Sequence, residues 1–201
     1  IIFCDNLEIL CEYLKDITCY SLLIDNLSKT TSLSPISKLT KLSSFHIWHS
    51  ENSINNLHRV RFSRNLNSLL LSNIVLDNIN TLKINKKELK RLNLRDSKIN
   101  NIDGLANYKK LFSLGLSLFH NNYNLRFLSK LSLEELHLSS INNFDFTKSL
   151  PKLKSLKSLF LESISSSQYK KLTAQEKRIC SKTPLFEEYE ERFDRFINNF
   201  N

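Results

Sequence analysis

The histidines of this 201-residue chain are its most versatile side chains, yet their spacing does not suit metal binding. A zinc site needs three or four Cys, His, Asp or Glu ligands that converge on one point. None of the histidines has a Cys, Asp or Glu at metal-ligand spacing. We therefore predict no metal site. The histidines are His46, His49, His58, His120 and His137.

The motifs of nucleophilic catalysis and phosphate binding are also missing. Glu135, His137 and Ser139 share one face of a predicted strand, but they point the same way, whereas a catalytic triad must converge. No serine stands in a GxSxG motif. The two glycines, Gly104 and Gly115, lack the partners of a phosphate loop. We predict that the protein is not an enzyme, has no catalytic residues and binds no cofactor.

Trp48, the only tryptophan, is the strongest candidate for a binding residue. In the segment from Phe45 to Trp48, alternation sends Phe45 and Ile47 to one side of a strand. His46 and Trp48 then face the other side. Tryptophan and arginine are enriched among residues that dominate protein interfaces. The alternative is that Trp48 folds over its neighbours and closes the edge of the sheet.

The elements that position these residues form a repeat. The pattern LxxLxL recurs seven times at steps of 22 to 24 residues, and such a unit buries its apolar edge only by stacking on copies of itself. Its first positions are Cys19, Leu42, Leu66, Leu89, Leu111, Leu133 and Leu156. Its strand pairs are Leu22/Ile24, Phe45/Ile47, Leu69/Leu71, Leu92/Leu94, Leu114/Leu116, Leu136/Leu138 and Leu159/Leu161.

The unit Leu89–Leu105, LKRLNLRDSKINNIDGL, resembles the leucine-rich repeat family, and the likeness covers residues 19–172. It is similar to the short repeats of internalins and of the nuclear phosphatase-regulator type, with Ser97 where that family carries an asparagine. Other repeats hold different residues there, such as Ile74, so the family's asparagine ladder is missing. The resemblance implies an α/β solenoid with a parallel concave β-sheet, and a partner protein bound on that face.

Residues between the inward leucines should line the concave face. The central column reads Leu23, His46, Leu70, Asn93, Gly115, His137 and Phe160. The next column reads Asp25, Trp48, Ser72, Arg95, Ser117, Ser139 and Glu162. From these columns we predict a partner-binding set of His46, Trp48, Leu70, Asn93, Arg95, His137 and Phe160.

Helical caps are expected at both ends of the solenoid. Residues 5–16, DNLEILCEYLKD, predict a helix that Asp5 can cap. After the last strand, a helix is expected from Ser165 through Ile179. Thr183-Pro184 starts an aromatic helix that either caps the solenoid or docks a partner. The predicted domains are an N-terminal cap at 1–18, about seven repeats at 19–172 and a C-terminal helical cap at 173–201.

The net charge of +9 is concentrated in residues 83–130. A basic surface attracts nucleic acid or acidic partners. This segment does not interleave aromatic with basic residues as single-strand nucleic-acid binders do. Nucleic-acid association is therefore the less favoured alternative to protein binding.

The four cysteines form no CxxC pair, which favours an intracellular protein, cytoplasmic or nuclear. No apolar run is long enough to span a membrane. The chain begins with Ile1 rather than Met, so we expect a trimmed N-terminus. We predict a monomeric scaffold that binds one protein. The alternative is an adaptor, of the ubiquitin-ligase receptor or microbial effector type, whose terminal helices recruit machinery.

Overall fold

The fold is α/β, with a multi-stranded parallel sheet and few helices, as expected from the sequence. The structure is a computed structural model. It describes residues 7–25, 32–48, 53–54, 56–118, 125–139, 153–162, 170, 172 and 174–180.

Two helices and eight strands are defined in those residues. The helices are α1 (Leu7–Lys15) and α2 (Ala174–Cys180). The strands are β1 (Ser21–Ile24), β2 (Ser44–Ile47), β3 (Ser68–Ser72), β4 (Val75–Asn78), β5 (Arg91–Asn101), β6 (Ser113–Leu118), β7 (Glu135–Ser139) and β8 (Ser158–Glu162).

The main sheet follows the order β1-β2-β3-β5-β6-β7-β8, and every neighbouring pair is parallel. Each strand therefore lies beside the strand of the preceding sequence unit. The strand β4 stands off this path and pairs with the second half of β5. The result is a repeat-like parallel sheet whose rows of side chains run across the strands.

The LxL alternation explains both the strands and the core. Leu69 and Leu71 in β3, and Leu92 and Leu94 in β5, are all buried on one side of the sheet. The first leucine of each unit from Leu42 to Leu156 is buried as well. We call the other side of the main sheet the open face.

Short 3-10 helices close the core opposite the sheet. Each contributes buried side chains, such as Ile36 and Leu105, to the same apolar cluster as the strand leucines. They span Ser34–Lys38, Leu57–Arg59, Ile79–Thr81, Asp103–Asn107 and Leu125–Lys130.

Serine hydroxyls tie successive units together. Ser43 Oγ donates to the carbonyl of Tyr20 at 2.9 Å. Ser155 Oγ donates to the carbonyl of Leu133 at 2.7 Å. These bonds join residues 22 or 23 positions apart, so they lie between neighbouring units. The carbonyl of Tyr20 also accepts from the backbone amides of Ser43 and Ser44, so the hydroxyl there strengthens a junction that the backbone already makes.

The predicted N-terminal helix is present as α1. Leu7 and Cys11 are buried against the core, and Leu10 and Leu14 pack on it. Across the contact, Lys38 donates to Glu8 at 2.7 Å and also bonds Glu12. Asp5, its predicted cap, lies outside the described residues.

The C-terminal predictions are only partly covered by the structure. The helix expected from Ser165 through Ile179 is described as α2, which begins at Ala174, and Leu172 just before it is buried. Ser165 and the aromatic segment after Pro184 lie outside the described residues.

A bend in β5 separates its two pairing partners. The register with β6 shifts between Leu94 and Ser97, and Asp96 has a φ of 48°. Ser97 Oγ is buried there, donates to the carbonyl of Arg95 at 2.6 Å and accepts from the amide of Ile74 at 3.3 Å. After the bend, Lys98 pairs with Val75 of β4, away from the open face.

Candidate functional site

The central column predicted from the sequence is confirmed by the strand register. Leu23 lies beside His46, and each following member lies beside the next, through to Phe160 of β8. The predicted site residues of this column therefore form one continuous row. They are His46, Leu70, Asn93, His137 and Phe160.

His46 is held by two serine hydroxyls. Its Nε2 lies 3.1 Å from Ser44 Oγ in the same strand and 3.0 Å from Ser68 Oγ in the next strand. Desolvation lowers the pKa of His46 to about 4, and the nearby charge of Arg91 lowers it further in the same direction. The imidazole is therefore neutral at pH 7.

Trp48 and Arg95 stack on each other across the open face. The guanidinium carbon of Arg95 lies 4.9 Å from the centre of the Trp48 ring, within the range of a cation–π interaction. Ser72, the register partner of Arg95, is only 4 % exposed. Trp48 and Arg95 are each half-buried, so the pair offers a firm surface with part of it open to contact.

The middle of the row is shallow and closely packed. Leu70 is only 7 % exposed and offers little area for contact. Asn93 is half-buried, and its carboxamide extends over Gly115, within 2.7 Å of where a Cβ would stand. A partner would meet mainly the polar end of Asn93 here.

His137 and Phe160 form an aromatic pair at the far end of the row. Their ring centres are 4.3 Å apart and the planes meet at 77°, an edge-to-face arrangement. Both side chains are half-buried. The row thus carries an aromatic element near each end, with small and polar groups between them.

Arg91 belongs to the open face although the sequence analysis did not select it. As the first residue of β5, it points the same way as Asn93 and Arg95. Its guanidinium carbon lies 4.9 Å from the centre of the Phe112 ring. Lys86 similarly lies 5.8 Å from the Tyr108 ring. Tyr108 is fully buried in the core, so of these two rings only the half-buried Phe112 can face a partner.

The alternation rule could have found Arg91, because it stands two residues before Asn93. The serines Ser44 and Ser68 occupy the same position in their own strands, and Arg91 is the register partner of Ser68. No comparable pattern predicts the Arg91–Phe112 contact, since Phe112 follows Arg91 by 21 residues and lies just before β6, outside the strands.

The surroundings of His46 do not suit it to act as a general base. A histidine bonded to a serine hydroxyl is half of a nucleophilic pair, but a pKa of about 4 makes His46 a weak base. Among the described residues, Nδ1 of His46 has no hydrogen-bond partner to orient the ring. Those residues also contain no cluster of three potential metal ligands.

Comparison with known proteins adds no family to these observations. No protein-family model matches the chain, and no curated protein matches it. In the described part of the chain, no helix has the length and apolar character needed to cross a bilayer.

Proposed function

We propose that this chain is a divergent leucine-rich repeat solenoid that binds a partner protein on the open face of its sheet, without catalysis. The LxxLxL period and the continuous parallel register both support a solenoid. In that architecture the open face is the concave face.

The Trp48–Arg95 stack is the observation that carries the binding proposal. Tryptophan and arginine are the residue types most enriched at interface hot spots. Here the guanidinium carbon of Arg95 already lies 4.9 Å from the centre of the Trp48 ring without a bound partner. Binding would then immobilise few additional rotamers, which keeps the entropic cost of association small.

The mechanism is rigid display of side chains. Neighbouring strands hold the row at intervals of about 4.8 Å, so the row from His46 to Phe160 presents a fixed pattern to an extended partner. A stable complex would bury about 800 Å² on each side.

The test is affinity capture at physiological salt, followed by mass spectrometry. Wild type is compared with the double variant Trp48→Ala/Arg95→Glu. The matched control is Val75→Ala/Lys98→Glu, which makes the same charge change at two neighbouring exposed residues beyond the bend in β5. All three proteins must unfold at the same temperature.

The expected result is one protein that wild type and the control capture and the Trp48/Arg95 variant loses. Capture of the same set by all three proteins would contradict the proposal. Loss in both double variants would point to a surface outside the open face.

A further inference from the structure

We propose that the protein carries a second interaction surface, a basic flank that binds the phosphate backbone of double-stranded nucleic acid. The flank consists of the segments that run from the last residue of each 3-10 helix to the following strand. Because the strands of the main sheet are all parallel, these segments meet at the edge where the strands begin, beside the open face. They are residues 38–43, 59–67, 81–90, 107–112 and 130–134.

Bonds between successive units hold the five segments side by side. They are the bonds of Ser63 to Thr40 at 2.8 Å, of Asn85 to Arg64 at 3.2 Å, of Lys110 to Glu88 at 3.1 Å and of Lys109 to Lys130 at 3.5 Å. Each bond joins one segment to the next. The flank is therefore one continuous surface that crosses five units, with neighbouring segments about 4.8 Å apart.

Arg61 and Lys83 form a like-charge pair on this surface. They are register partners in an isolated parallel bridge, so both side chains leave the backbone on the same side. Both are exposed. Like charges at neighbouring positions of a sheet are destabilising, and the amide of Arg61 is held by Ser37 Oγ at 3.0 Å without help from a charge. An anion between the two side chains would offset their repulsion.

The positive charge of the whole flank is uncompensated. Its two acids are already engaged, Glu88 by Lys110 at 3.1 Å and Glu134 by Lys157 at 2.9 Å. Nine exposed cations of the flank have no carboxylate within 4.0 Å among the residues that the structure describes. They are Lys41, Arg59, Arg61, Arg64, Lys83, Lys87, Lys90, Lys109 and Lys130.

The flank combines this charge with a lack of exposed aromatic rings in its five segments. Phe62 and Tyr108 are buried, and Phe112 is half-buried. Partner proteins are bound mainly through aromatic and arginine anchors in desolvated pockets, and single strands through bases that stack on aromatic rings. Double-stranded nucleic acid is held through its phosphates by charge. It is therefore the polyanion that suits this surface.

The experiment measures binding of the full chain to a labelled DNA duplex of about 20 base pairs, by fluorescence anisotropy from about 50 to 200 mM salt. Oligothymidylate, polyglutamate and unlabelled duplex are compared as competitors at equal total charge. Lys83→Gln removes one charge from the flank. Its matched control is Lys98→Gln, the same change at an exposed lysine that pairs with Val75 beyond the bend in β5. Lys83→Arg keeps the charge.

We expect the logarithm of the binding constant to fall with the logarithm of the salt concentration, with a slope of about −4 or steeper. This is the slope for contact of at least half of the nine cations with phosphates, at about 0.9 for each contact. Lys83→Gln should make the slope shallower by about 0.9 and weaken binding about eightfold at about 0.1 M salt. Lys98→Gln should change the affinity less than about twofold, and Lys83→Arg should bind like wild type. Equal melting temperatures show that each variant folds.

Three results would overturn the inference. The first is no binding of the duplex at about 50 mM salt. The second is equal affinity of Lys83→Gln and Lys98→Gln, which indicates a general charge effect without a site. The third is stronger competition by oligothymidylate or polyglutamate than by unlabelled duplex, which identifies a single strand or an acidic protein as the ligand. None of these results bears on the proposed function, because the flank lies beside the open face and not on it.

Discussion

The carboxamide of Asn93 occupies the space that a side chain at Gly115 would need. A Cβ at Gly115 would lie 2.7 Å from both Cγ and Oδ1 of Asn93, which is the register partner of Gly115 in the next strand. The two residues therefore share one volume on the open face. Gly115 is needed here for the close approach of Asn93.

Gly115→Ala should consequently destabilise the protein through Asn93. We expect a loss of about 1 kcal/mol in the free energy of unfolding, at the low end for overpacking because the Asn93 side chain can move aside. In an Asn93→Ala background the same change should cost less than about 0.5 kcal/mol. Chemical denaturation of the four proteins measures this coupling.

Gly104→Ala provides the control for that cycle. A Cβ at Gly104 would meet Asn80 rather than Asn93. Its cost should therefore be the same with and without Asn93. An equal cost of Gly115→Ala in both backgrounds would show that Asn93 is not the obstruction.

The buried hydroxyl of Ser97 is predicted to stabilise the bend in β5. Ser97 is fully buried and connects the amide of Ile74 with the carbonyl of Arg95. Ser97→Ala leaves that amide without its acceptor and should cost about 1–3 kcal/mol. The measurement is equilibrium unfolding in urea.

Ser129→Ala is the comparison for Ser97. Ser129 Oγ also donates to a backbone carbonyl, that of Arg126 at 2.8 Å, but its side chain is half-buried and water can replace it. Its loss should cost less than about 0.5 kcal/mol. Equal losses at the two serines would rule out a special role for Ser97.

The fold was largely accessible from the sequence, since period-2 alternation specifies which leucines enter the core. The nearly constant repeat length also predicted the order of neighbours from Leu23 to Phe160, because equal repeats keep parallel strands in register. Ser97 was also identifiable as the residue that stands where the leucine-rich repeat pattern has an asparagine. There the serine makes an inter-unit bond of its own, to the amide of Ile74.

The contacts between side chains on the open face were less accessible. Trp48 and Arg95 are 47 residues apart, and no local pattern indicates that one arginine rotamer reaches across Ser72 to the ring. The same holds for Arg91 and Phe112. No sequence feature predicted the positive φ of Asp96 either, because aspartate is common in ordinary strand ends and turns.

His46 is predicted to make the stability of the protein depend on pH. Its pKa is about 4 in the folded chain against 6.5 for the unfolded group. Between these values the unfolded chain binds more protons, so stability falls as the pH drops from 6.5 towards 4. At pH 5 the loss should be about 2 kcal/mol.

The measurement is the free energy of unfolding of wild type and His46→Gln from pH 8 to pH 4. Glutamine does not titrate, so the difference in free energy between the two curves should be constant at high pH and should change as the pH falls below about 6.5. His58→Gln, at an exposed histidine, should keep the wild-type dependence. Parallel curves for wild type and His46→Gln would contradict the burial of a neutral imidazole.

Removing the hydroxyl of Tyr108 is predicted to leave the stability of the protein unchanged or to increase it. Its side chain is fully buried, and its hydroxyl has no hydrogen-bond partner among the described residues. Burial raises the pKa of this phenol to about 12. Tyr108→Phe should therefore be neutral or should stabilise the protein by up to about 1 kcal/mol. Thermal unfolding tests this against Tyr13→Phe, an exposed position where we expect no change. A clear loss of stability in Tyr108→Phe alone would mean that the hydroxyl is bonded.

The ion pairs of Lys38 should anchor α1 in a way that depends on both pH and salt. Hydrogen bonds from Lys15 and Lys38 hold the pKa of Glu12 at about 2, well below the ordinary value of 4.5 for a glutamate. A depressed carboxyl pKa stabilises the fold above pH 4.5, and this contribution is lost as the pH falls towards 2. Lys38→Ala should thus lower the Tm at pH 7, with a smaller difference from wild type at pH 2 and in 1 M salt.

Lys41→Ala removes an exposed lysine close by and should leave the Tm unchanged. If Lys38→Ala has no effect at low salt, α1 is held by its apolar face, which includes Leu7 and Cys11.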